Sequence, residues 1–145
     1  MGGCVNQIHA DNAPKPVGAY PHARREGEWL FLSGVGPRKA GTTKIPGVTL
    51  HADGSIASYD IEVQTRSVIE NISTILESAG ATLNHVVDVT VFLTNMKDDF
   101  PGYNRIYAEY FGKIGATRTT LGIVALPTPI AVEFKVLARI PDGRT

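Results

Sequence analysis

Cysteine is nearly absent. Cys4 is the only one in 145 residues, so no disulfide can close within the chain, and a reducing, cytoplasmic setting is expected. An excess of either charge is missing as well: Lys+Arg and Asp+Glu each number 14. Phosphate contacts carry much of the affinity of nucleic-acid binders, and only Arg24-Arg25 and Arg38-Lys39 place two basic residues side by side. No nucleic-acid partner is expected. Apolar runs extend only a few residues, so no membrane span is expected, and the N-terminus lacks the basic-then-apolar order of a signal peptide. The four histidines, His9, His22, His51 and His85, have no metal-ligand spacing and no cysteine pair beside them, so no metal is expected.

What is present is a globular composition, 43% hydrophobic and 19% charged, at the length of a single domain spanning 1–145. Residues 1–19, with Gly2-Gly3, Pro14, Pro16 and Gly18, read as an irregular arm. Tyr20 to Arg25, a Glu26-Gly27 turn and Trp29 to Ser33 read as a β-hairpin. Residues 36–58, rich in glycine and threonine, read as a long loop with at most a short strand near Val48-Thr49-Leu50.

Between 60 and 79, Ile61, Thr65, Val68, Ile69, Ile72, Ile75, Leu76 and Ala79 recur at steps of three and four. That period predicts an amphipathic helix, capped by Ser58 or Asp60 and ended by Gly80. Alternation over 87–93 predicts a strand. Asp98-Asp99 predicts the start of a second helix with an aromatic face, which Gly112 ends. Arg118, Thr120 and Gly122 alternate with Thr119, Leu121 and Ile123. Ala131, Glu133, Lys135, Leu137 and Arg139 alternate with an apolar set from Ile130 to Ile140.

The order ββ–α–β–α–ββ predicts an α+β fold, a mixed sheet with two helices on one face. Leu30, Leu32, Phe92 and Leu137 are then candidates for the face without helices, and their burial predicts a homo-oligomer.

Arg118 and Glu133 are expected on adjacent strands, both pointing away from the helices. A guanidinium grips a carboxylate through two parallel bonds, and a partly desolvated glutamate activates water. Together they suggest hydrolysis of a small organic acid. The same pair also fits an ordinary polar sheet face with one interface ion pair, and spacing alone does not choose. Tyr20, Asn104 and Thr120 add hydrogen-bonding side chains. Asn104 sits inside the second helix, where asparagine has poor propensity, and His22 lies close behind Tyr20.

Val17-Gly18-Ala19-Tyr20, Leu32-Ser33-Gly34, the stretch from Gln64 to Ile72, Val91-Phe92-Leu93-Thr94, Tyr103 to Tyr107, Thr117 to Thr120 and Ala131 to Phe134 occur in that order. Together this set resembles the Rid/YjgF family of reactive-intermediate deaminases over about residues 14–140. The resemblance implies a chorismate-mutase-like fold and a homotrimer with sites between subunits. It implies that Arg118 binds the substrate carboxylate, that Glu133 positions the attacking water, and that Tyr20, Gly34 and Asn104 line the pocket. No other cofactor is expected either, because the imine chemistry that the resemblance implies needs none.

Family members acting on 2-aminoacrylate carry cysteine where this chain has Thr120. That difference and the longer loop after Gly34 resemble the 2-aminomuconate deaminase branch, whose substrate is a six-carbon enamine diacid. Arg38, Lys39, His22 and Arg24 are the nearest candidates for its second carboxylate. A general 2-imino-acid deaminase and a non-catalytic ligand-binding regulator remain the alternatives.

Overall fold

The computed structural model describes residues 6–141; Cys4 lies outside them. Eight strands and two long helices follow one another as β1 (Gln7–Ile8), β2 (Ala23–Glu26), β3 (Trp29–Leu32), β4 (Val48–Leu50), β5 (Ile56–Tyr59), α1 (Ile61–Ser78), β6 (Val86–Leu93), α2 (Met96–Phe111), β7 (Thr117–Gly122) and β8 (Val132–Arg139).

Six strands form one sheet in the order β1-β2-β3-β8-β6-β7. All its pairs are antiparallel except β6 with β7. The fold is α+β, as expected. The remaining strands, β4 and β5, form a separate hairpin, so the 36–58 segment is more ordered than a loop. Its strands are short and half polar, and they leave little periodic signal in the sequence.

α1 forms where the three-and-four spacing predicts it. The Asp60 carboxylate accepts from the Glu62 and Val63 amides, a cap worth about 1 kcal/mol. Gly80, at φ +82°, takes the left-handed turn past its end. α2 starts two residues before Asp98, because Asn95 rather than an acidic residue caps it, accepting from the Asp98 amide.

Both helices lie on one face of the sheet. Val68, Ile69, Ile72 and Leu76 of α1 and Tyr103, Ile106 and Phe111 of α2 are buried against Leu30, Leu32, Val89, Val91, Phe134 and Val136. Each such large side chain contributes roughly 1.5–3 kcal/mol by leaving water.

Leu30 and Leu32 were expected on the face without helices, yet both are fully buried beneath them. Their neighbours Trp29 and Phe31 take the outer face, at 39% and 44% exposure. Phe31 is in register with Leu137, and Phe92 with Leu121 and Glu133. The outer face therefore carries an apolar set, with Phe92 and Leu137 on it as expected and Leu121 added. Among the described residues no helix is long and apolar enough to cross a membrane.

Candidate active site

Glu133 stands on the outer face of β8, between the buried Val132 and Phe134. A backbone bridge joins Phe134 to Val35, whose amide donates to the Phe134 carbonyl at 2.8 Å. The bridge draws the chain after β3 up to Glu133. Gly34 lies so close that a Cβ there would stand 2.9 Å from the Glu133 carboxyl carbon. The missing side chain at 34 is what gives the carboxylate its space.

Glu133 shares a recess of about 110 Å³ with Tyr20, Gly34, Arg38 and Val17. Burial pushes its carboxyl above the ordinary glutamate range, and the nearby Arg38 charge opposes that rise. Among the described residues the carboxylate has no hydrogen-bond or ion-pair partner.

A second, smaller recess of about 30 Å³ adjoins the first. It shares Tyr20, Gly34, Gly36 and Arg38 with it and reaches Pro14 and Ile75. Arg38 stands between the two, its Nη2 donating to the Lys15 carbonyl at 2.5 Å. Asn71 of α1 fixes the loop beneath it, its Nδ2 donating to the Gly36 and Arg38 carbonyls at 3.1 and 2.9 Å. Gln64 acts similarly on the other side, accepting from the Ala131 amide at 2.9 Å where the chain enters β8. Asn71 and Gln64 sit within a helix pattern that gave no reason to single them out.

Arg118 lies elsewhere. β6 runs between β7 and β8, so the expected adjacency of the two strands does not hold. Arg118 is in register with Val89, whereas Glu133 is in register with Phe92, three residues along β6. An odd offset puts two side chains on opposite faces. Arg118 therefore points toward α2, contrary to the expectation that it would point away from the helices.

There Arg118 Nη1 donates to Asn104 Oδ1 at 2.8 Å. The guanidinium carbon stands 4.7 Å from the centroid of the Tyr107 ring, with Tyr103 and Phe100 at 5.3 and 5.8 Å. A weakly hydrated planar cation suits such an aromatic bed. Thr120 is on the same face, bonded to the Tyr103 hydroxyl at 2.6 Å. The group is half-buried at β7, the edge strand of the sheet.

The residues expected to form one site thus fall into two groups on opposite faces: Tyr20, Gly34, Arg38 and Glu133, and Asn104, Arg118 and Thr120. His22 lines the second recess beside Tyr20, as its position suggested, but it is not free to bind a ligand. It is buried, its Nδ1 accepts from the Ala10 amide at 2.9 Å, and its Nε2 donates to the Pro14 carbonyl at 2.7 Å. With both ring nitrogens occupied, it pins the N-terminal arm instead of offering a proton to a substrate. Among the described residues no cluster of three histidine, cysteine or acidic side chains could hold a metal ion.

A mixed sheet backed by two helices, with a carboxylate recess on one face and an arginine fork at the opposite edge, defines a small α+β protein. The chain belongs to the family described as Endoribonuclease L-PSP, whose model matches residues 10–140, and which takes in proteins named Rid and YjgF. A RutC family protein of Pyrococcus horikoshii is 40% identical over 90% of this chain and 94% of its own length. A Rid family protein of Yersinia pestis, described as of unknown function, is 35% identical, with a TM-score of 0.79 over 92% of this chain and 98% of that one. TdcF of Escherichia coli, solved with bound serine, is 27% identical at a TM-score of 0.77 over 92% of this chain and 97% of its own.

Proposed function

We propose that the protein is a hydrolytic deaminase of enamine and imine acids. Subunits assemble, as a homotrimer, so that the Glu133 recess of one meets the Arg118 edge of the next. The observation that carries this reading is the state of Glu133: a half-buried carboxylate in a recess, with no protein partner among the described residues. Such a group is placed to hold water rather than to stabilise the fold. The apolar outer face, with Trp29, Phe31 and Leu121 exposed, supports assembly through the face on which Glu133 stands. A relative solved with serine bound supports a small acid as the ligand.

The substrate carboxylate binds Arg118 through the guanidinium edge that Asn104 leaves free. The enamine tautomerises to its imine, on or off the protein. Water held by Glu133 adds its oxygen to C2 of the imine, and Glu133 takes the proton that water sheds. That proton passes to the nitrogen, giving the neutral carbinolamine; Glu133 then carries the hydroxyl proton to the same nitrogen as the C–N bond breaks, so ammonia leaves while the C2 oxygen becomes a carbonyl. One water is consumed, and a 2-oxo acid and one ammonia are formed. Orientation of water and imine supplies most of the acceleration.

The preferred substrate in this reading is a diacid, 2-aminomuconate, hydrolysed to 4-oxalocrotonate. Arg38 supports it: this second cation stands where the Glu133 recess opens into the adjoining one, well placed for a distal carboxylate. Ammonia release from 2-aminomuconate and from 2-aminoacrylate, each with the wild type and Glu133→Gln, tests the proposal. Release that Glu133→Gln leaves unchanged would remove Glu133 from the mechanism. Equal efficiency on both substrates would favour a general imino-acid deaminase.

A further inference from the structure

The aromatic bed beneath Arg118 contains a hydroxyl pair whose direction can be worked out. Tyr103 is fully buried, and its ring is fixed edge-on against Phe134 and Phe100, at 6.1 and 5.7 Å between centroids. Only its oxygen reaches a polar group, Thr120 Oγ1 at 2.6 Å. Burial pushes the Tyr103 phenol upward, so it keeps its proton.

A phenol is the stronger donor of the two and an aliphatic hydroxyl the better acceptor, so Tyr103 donates and Thr120 accepts. Among the described residues Thr120 then has no acceptor for its own proton. Thr120 is two residues from Arg118 on the same face of β7, about 7 Å along the strand. Its free O–H shares the half-exposed edge with the guanidinium.

We propose that Tyr103 is a positioning residue that orients the Thr120 hydroxyl as a donor to the anion held by Arg118. The site then grips a carboxylate with a charged fork and one neutral donor, and the buried phenol fixes the rotamer of that donor. A donor held in place costs less order on binding than a free rotor, so the pair favours a ligand that places an oxygen between Arg118 and Thr120. The inference rests on the carboxylate assignment of Arg118 and does not need turnover.

The test is the affinity of the full-length protein for pyruvate, the smallest 2-oxo acid, titrated by calorimetry or NMR. Thr120→Val should weaken binding roughly tenfold, the loss of one hydrogen bond to a charged group, and Thr120→Ser should restore most of it. Tyr103→Phe, which keeps the buried ring, should weaken binding about threefold alone and not at all in a Thr120→Val background. A merely structural hydroxyl pair would instead lower the melting temperature and leave pyruvate affinity unchanged.

Wild-type affinity in Thr120→Val, or an undiminished Tyr103→Phe effect beside Thr120→Val, would overturn the inference. Absence of pyruvate binding to the wild type would overturn it together with the carboxylate assignment. Pyruvate binding with the expected dependence on Tyr103, but no ammonia release from any imine, would refute the deaminase reading and support the relay.

Discussion

Two inactive variants should restore each other. Arg118→Ala lacks the fork but keeps the water-holder, and Glu133→Gln is the reverse. Arg118 and Glu133 project from opposite faces of one sheet, because their partners on β6 are Val89 and Phe92. One subunit therefore cannot bring its own pair together, and in the proposed assembly each complete cleft joins the Arg118 edge of one copy to the Glu133 recess of its neighbour. In a closed ring of identical subunits every cleft has the same composition. When the two variants are co-expressed in equal amounts and assort at random, a cleft is complete only if a Glu133→Gln subunit supplies the arginine and an Arg118→Ala subunit supplies the glutamate. That holds for about a quarter of the clefts, so ammonia release should return to about a quarter of the wild-type rate per subunit.

The double variant mixed equally with wild type gives the complementary reading. About a quarter of clefts survive if the site is shared, and about half if it is not. The assay needs two affinity tags to isolate mixed assemblies, a light-scattering mass to count subunits, and a coupled ammonia measurement. Recovery at the level of the separate variants, in assemblies shown to be mixed, would refute a shared site. With it would go the argument that the fork and the water-holder act on one molecule.

Five further outcomes rest on the same geometry. Arg118→Lys keeps the charge but loses the planar fork, and the loss of one charged hydrogen bond of about 1.5–3 kcal/mol should lower kcat/KM roughly ten- to hundredfold. Gly34→Ala places a methyl against the Glu133 carboxylate and should reduce kcat more than it raises KM. Because burial raises the Glu133 carboxyl in the folded state, the protonated form favours folding below the unfolded glutamate value. That contribution is lost as pH rises through the folded one. Glu133→Gln should therefore melt higher than wild type at pH 7 but not at pH 4, although it is inactive. In the proposed mechanism Glu133 acts as the carboxylate, so the rate should fall as pH drops through the raised value. Arg38→Met removes the charge that opposes the rise, so it should move the acid limb to higher pH and weaken diacids more than monoacids.

Helical period, the glycine stops and the alternation of β8 were legible because each is a local pattern imposed by burial. α1 is ended at Gly80, as spacing named it, and of the two caps that spacing allowed, Ser58 and Asp60, the structure takes Asp60. Asn104 was legible in a different way: a residue ill-suited to a helix interior sits there because it holds Arg118 at 2.8 Å. Of the β4–β5 hairpin, β4 stands where a short strand was expected at Val48–Leu50, but β5 and the pairing were not legible, since a strand of four residues is too short to show a period. His22 looked free in the sequence because its partners are the backbone amide of Ala10 and the carbonyl of Pro14, and backbone groups leave no mark on composition.

Relative facing of two strands is a different kind of information. Alternation within β7 correctly grouped Arg118 with Thr120, and alternation within β8 grouped Glu133 with Lys135, but neither says which group meets the helices. That is decided by pairing. β6 lies between them, parallel to β7 and antiparallel to β8, and a register shift of one residue on either side would have exchanged the faces. Hydrophobic burial fixes the choice on β8, where Phe134 fills the space against Tyr103 and Tyr107 and so sends Glu133 outward. On β7 no large apolar residue shares the helix-facing side with Arg118. The arginine itself covers the Tyr103 and Tyr107 rings, doing by cation–π contact what a leucine would do elsewhere. A charged residue that packs like an apolar one is invisible to a hydrophobicity pattern, and here that one residue sets Arg118 and Glu133 on opposite faces of the sheet.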